Sequence, residues 1–165
     1  MWTFILAAVL SIAPSYFLWT CLHELSHYFV LKMLRPITGA VFQLYPHKDA
    51  SGTFVWASVT AAYAGDFLSP KEEALRLLAP RFLDALAVVL LPLAGLLVLP
   101  WLQGVWMVFW GAGIVDLIVG SIGSTEISDL QRASKVLGWN PWILRVLGWT
   151  VAVLSVVVMI LVFVF

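Results

Sequence analysis

The stretch from Trp2 to about Leu31 carries a single formal charge, Glu24, and that charge lies inside the cluster His23-Glu24-Leu25-Ser26-His27. A run this long and this apolar matches the roughly 20 residues needed to cross a hydrocarbon core. In lipid, an isolated segment satisfies its backbone only as a helix. The sequence therefore places two imidazoles and a carboxylate on a helix in the solvent least tolerant of them.

Three more segments read the same way: about Phe82–Leu99, about Val105–Ile122 after a Pro100–Gly104 turn, and Pro141–Phe165. The composition agrees. Of 165 residues, 62% are hydrophobic and only 11% are charged, against about 25% charged residues in a soluble domain. Too few charges are present to coat a water-facing globule. Formal net charge is zero, so nothing favours nucleic acid as a partner. Cys21 is the single cysteine and cannot form an intrachain disulfide. A cleaved leader over Met1–Leu22 would need a basic n-region, which is lacking. No repeat or polar linker divides the chain, and residues 1–165 read as a single membrane-embedded domain.

Lys32, Arg35, Lys48, Lys71, Arg76 and Arg81 lie between the first and second segments, and Arg132, Lys135 and Arg145 between the third and fourth or just inside the fourth. Under the positive-inside rule both basic loops are expected in the cytoplasm and both termini outside. The expected location is the cell (inner) membrane. In the first loop, Val41–Tyr45 and Thr53–Thr60 are rich in β-branched and aromatic residues and flank turn residues at Pro46–Gly52, which predicts a β-hairpin. Ser69-Pro70-Lys71-Glu72 predicts a helix start with a capping box, the helix running toward Leu78 and ending before Pro80. The expected fold is all-α and membrane-embedded, with about four transmembrane helices and a small β-hairpin in the first cytoplasmic loop.

His23 and His27 are four residues apart, so on a helix they lie about 40° apart in azimuth and one turn apart in height. Both can reach one metal ion. Glu24 is offset enough to miss the ligand shell and close enough to act as general base on a water, with zinc lowering that water's pKa toward 7. The same five residues on a soluble helix would often be an ordinary polar face. In a membrane segment a carboxylate costs roughly 2.5–3.5 kcal/mol, and the metal explains why it is there. His47, in the hairpin turn, reads as a solvated loop residue.

Such a site wants a third protein ligand and one open position. Tyr28-Phe29-Val30-Leu31 follows the motif, so no third histidine comes from the same helix. The acidic candidates are Asp129, Glu126 and Asp116, with Asp84 as an outsider. Asp129 is favoured because it follows the third segment, after Gly120–Ser124, in the first turn of a predicted helix Thr125–Leu137 capped at Ser124 or Thr125 and ended by Gly138. A helix N-terminus favours an ionised carboxylate. Glu126 is second, and Asp116 reads as a polar residue packed inside the bundle.

With His23-Glu24-Leu25-Ser26-His27, Gly123-Ser124 to Asp129-Leu130 and Ala79-Pro80-Arg81 in place, the chain resembles small members of the site-2-protease-like membrane metallopeptidases. The first of these motifs is specific. The Asn-Pro…Leu-Asp-Gly form of the third-ligand motif is absent, since Leu130 and Gln131 follow Asp129. The resemblance implies a zinc endopeptidase, with His23, His27 and Asp129 on Zn2+ and Glu24 as catalytic base. Its substrates would be membrane-associated proteins or peptides cleaved near the cytoplasmic face, and the hairpin would present the substrate strand. The rival expectation is a membrane zinc-binding protein without catalysis, serving in metal sensing, transport or as a scaffold. A di-iron oxygenase would need many more than three histidines.

Overall fold

The computed structural model describes residues 2–48, 52, 54–98, 102–122 and 128–164. The elements are α1 (Trp2–Leu34), β1 (Ile37–Gln43), β2 (His47–Lys48), β3 (Phe54–Val55), β4 (Ser58–Tyr63), α2 (Pro70–Gly95), α3 (Gln103–Ile122), α4 (Asp129–Leu137) and α5 (Pro141–Val164). Helices α1, α2, α3 and α5 are each long and apolar enough to cross a bilayer. The chain is thus a multi-pass, essentially all-α membrane protein with a small β-hairpin between its first two helices.

α2 packs against α1, α3, α4 and α5, and α3 also packs against α1 and α5. The core reflects this, because Trp19, Val88, Leu117 and Ala152 meet in one buried cluster, one residue from each long helix. Side chains such as Leu10, Phe82, Val119, Ile143, Val153 and Leu161 are exposed. On helices of this apolarity they form the lipid-facing surface.

α2 departs from the sequence expectation. It does not stop before Pro80 but runs unbroken from Pro70 to Gly95 with Pro80 and Pro92 inside it. Its start is as read: Ser69 caps it, the Glu72 side chain accepts from the Ser69 N–H at 2.8 Å, and Pro70 occupies the first turn. Each internal proline removes one N–H, so the carbonyl four residues earlier loses its helical donor. For Pro92 that carbonyl belongs to Val88. It accepts instead from the Trp110 indole N–H at 3.0 Å and from the Ser155 hydroxyl, which ties α3 and α5 to α2. Tertiary hydrogen bonds here replace helical ones, so the prolines do not end the helix.

The hairpin forms, but it begins earlier than expected. β1 pairs antiparallel with β4 from Ile37↔Tyr63 to Gln43↔Ser58, and β2 with β3 through His47↔Val55 and Lys48↔Phe54. His47 and Lys48 are therefore strand rather than turn. His47 is satisfied within the hairpin, with Nδ1 2.7 Å from the Tyr45 carbonyl and Nε2 3.0 Å from the Ser58 hydroxyl. The hairpin lies along α1. Phe42 meets Tyr28, Val59 meets Glu24, and Trp56 stacks edge-on against Tyr16.

α4 opens at Asp129, with Ser128 as its cap, and closes at Gly138 in the left-handed conformation (φ +67°). The expected start at Ser124 or Thr125 lies outside the described residues, as do Glu126, Gly123 and Pro100. Gly120–Ile122 form the last turn of α3, at the end of the expected span Val105–Ile122.

Candidate metal centre

α1 presents His23 and His27 on one face, one turn apart, toward the N-terminus of α4. The His23 and His27 Nε2 atoms lie 3.5 and 3.3 Å from Oδ2 of Asp129. The three donor atoms all fall within 4.8 Å of one another. Ligand atoms about 2.0–2.2 Å from a tetrahedral zinc stand roughly 3.4 Å apart, so the donor set fits a zinc-sized ion. Asp129 is the first residue of α4, where the helix dipole favours its charge. Burial opposes that charge, but hydrogen bonds with the two imidazoles outweigh burial and hold the carboxyl well below the usual carboxylate range.

Which nitrogen of each imidazole faces the centre is decided by what holds the other. His23 Nδ1 lies 3.2 Å from Oδ2 of Asp116 on α3. His27 Nδ1 lies 2.8 Å from the backbone carbonyl of Arg76 on α2. Carboxylate and carbonyl can only accept here, so each Nδ1 carries a proton and each Nε2 faces Asp129, where a neutral imidazole would offer its lone pair to an ion. Asp116, expected only to pack inside the bundle, thus contacts a candidate ligand directly.

Behind Asp116 lies a largely buried ionic cluster, with Asp84 fully enclosed, that sequence reasoning did not assemble. Arg81 NH1 donates at 2.8 Å to Asp116 and at 2.8 Å to Asp84, and at 2.9 Å to the Asp116 carbonyl. Asp84 is fully buried and also accepts from the Trp19 indole at 2.9 Å. The guanidinium lies against Gly120, where any Cβ would collide with it, and the Trp19 ring lies against Gly113 in the same way. His23, Asp84 and Asp116 could themselves offer three donors to a cation. The Arg81 guanidinium already stands between the two carboxylates, so the positive charge there is built into the chain. The available signal was Arg81 and Asp84, three residues apart in an apolar helix, with Asp116 in the next one. Charges inside a membrane bundle need one another.

Glu24 stands outside the three-donor group. Its Oε2 accepts from the Val59 backbone N–H at 3.3 Å. That N–H points away from β1, and by strand alternation the N–H groups of Ala61 and Tyr63 do likewise. The open edge of β4 therefore faces the motif. Between them lies a cavity of about 360 Å³ lined by His27, Tyr28, Val59, Ala61, Tyr63 and Arg76 among others.

Fold and site together define a multi-pass membrane protein with a two-histidine, one-carboxylate centre beside an open strand edge. No protein-family model, curated protein or solved structure matches the chain.

Proposed function

We propose that the chain is a zinc-dependent endopeptidase acting on membrane-associated polypeptides, similar to small site-2-protease-like enzymes. The observation that carries this reading is the convergence of His23 Nε2, His27 Nε2 and Asp129 Oδ2, with Glu24 beside them on the open edge of a strand. Three protein donors leave a fourth position open, the arrangement of catalytic rather than structural zinc. When bound, zinc supplies water acidified toward neutrality and polarisation of a peptide carbonyl.

The chain's own residues do the remainder. An extended substrate segment adds to the β4 edge, taking the place of the Glu24 carboxylate on the Val59 N–H. Glu24, released from that bond, takes a proton from the attacking water and returns it to the leaving amine. The cavity beside His27 receives the flanking side chains. The basic residues Lys32, Arg35, Arg76, Arg132 and Lys135 lie around this end of the bundle, which favours the cytoplasmic face.

The test is metal content and turnover of the detergent-purified protein, using transmembrane-peptide libraries read by mass spectrometry. Near-stoichiometric zinc with cleavage abolished in Glu24→Gln supports the reading. Zinc without cleavage by the wild type points to a non-catalytic zinc-binding membrane protein. Cleavage retained by Glu24→Gln rules out the mechanism, and absence of metal after zinc reconstitution rules out the centre.

A further inference from the structure

The Arg76 carbonyl that holds His27 is available for a covalent reason. In an α-helix it would accept from the N–H of residue 80. Residue 80 is proline, which has none. α2 nevertheless continues through Pro80, and Pro80 itself is fully buried in the bundle. The carbonyl is taken instead by Nδ1 of His27 at 2.8 Å, from α1. That bond fixes the proton on Nδ1 and aims Nε2 at Asp129, 3.3 Å away.

We propose that Pro80 is a positioning residue for the metal centre: its missing N–H creates the backbone acceptor that orients His27. The inference rests on the metal-centre reading above. Pro92 supplies an internal precedent, since the Val88 carbonyl it frees is likewise claimed from other helices, by Trp110 and Ser155. Proline is the least favourable residue for a helix interior. A residue kept there for helix stability alone would be any other.

Pro80→Ala restores an N–H that competes with His27 for the Arg76 carbonyl while giving α2 a better helix former. Zinc affinity of the full-length protein in detergent is measured by chelator competition, together with thermal unfolding of the metal-free form. The expected result is zinc binding about 10–100-fold weaker, the usual effect of losing a partner of a metal-bound histidine, without a lower unfolding midpoint. Pro92→Ala, the same change away from the centre, leaves zinc affinity unchanged. Wild-type affinity in Pro80→Ala, or equal losses in both variants, overturns the inference while leaving the centre itself intact.

Should Pro80→Ala fold poorly, 15N-histidine NMR of the zinc-loaded wild type decides. His27 must coordinate through Nε2 and hold a slowly exchanging Nδ1 proton. Coordination through Nδ1, or a freely exchanging proton there, overturns the proposal. A wild type that binds no zinc overturns the metal-centre reading, and this inference with it.

Discussion

Asp116 Oδ2 lies 3.2 Å from Nδ1 of His23 and 2.8 Å from the Arg81 guanidinium, so one oxygen atom links a candidate ligand on α1 to a partly buried cation on α2. Carboxylate partners of metal-bound histidines typically contribute 10–100-fold in affinity. Asp116→Asn is expected to weaken zinc binding by about that range. Asp84→Asn removes the same charge from the same cluster without touching His23, and should weaken zinc binding far less. Chelator competition on both variants checks this. Equal losses would mean that the charge of the cluster matters and the contact to His23 does not.

Removing a ligand is a harsher change. His23→Ala, His27→Ala and Asp129→Ala should each abolish stoichiometric zinc, measured per chain after reconstitution and desalting. His47→Ala, whose imidazole is used inside the hairpin, should retain it.

Gly120→Ala places a methyl group on the Arg81 guanidinium. Overpacking of this kind costs about 1–3 kcal/mol. Displacing Arg81 also disturbs Asp116, so the variant should lose both stability and zinc affinity. Gly138→Ala strains a left-handed helix end (φ +67°) far from the centre. It should lose stability by about 1 kcal/mol and leave zinc affinity alone. Denaturant titration in detergent beside zinc competition separates the two.

Ser155→Ala and Trp110→Phe each remove one of the donors to the Val88 carbonyl. The expected cost is about 1 kcal/mol for either alone. The double variant leaves a buried carbonyl without both donors and should cost more than the sum of the singles. Unfolding midpoints of the three proteins test the coupling.

The parts of this structure written in local signals were legible in the sequence. The four spans follow from apolar runs, the start of α2 from Ser69 and Glu72, the end of α4 from Gly138, and the shared face of His23 and His27 from their spacing. Asp129 was reachable by its place after α3. Features that depend on contacts between distant segments were not legible. Pro80 reads as a helix stop because its cost is local, while the bond that makes use of it comes to the Arg76 carbonyl from His27, 49 positions before Arg76 along the chain. The hairpin's first residues, Ile37 to Ala40, include a glycine and an alanine of low strand propensity, and pairing with Ala61–Tyr63 supplies what they lack. Arg81, Asp84 and Asp116 were visible singly, and only their meeting across α2 and α3 gives them a shared role.

The hairpin's course along α1 has a consequence for the solvent. From the Phe42–Tyr28 contact to the Trp56–Tyr16 contact it climbs beside α1 by 12 residues, about 18 Å of helix. Tyr16 is near the middle of the span Ile5–Leu34. An unpaired strand edge has no place in hydrocarbon, because its N–H and C=O groups would go unsatisfied. That flank of α1 therefore needs water or protein groups beside it, as Glu24 supplies for the Val59 N–H. α1 thus has one flank that calls for polar surroundings and another that packs into an apolar, lipid-facing bundle. For the proposed endopeptidase, such a flank would let a membrane-held segment reach the β4 edge sideways, without crossing the membrane surface.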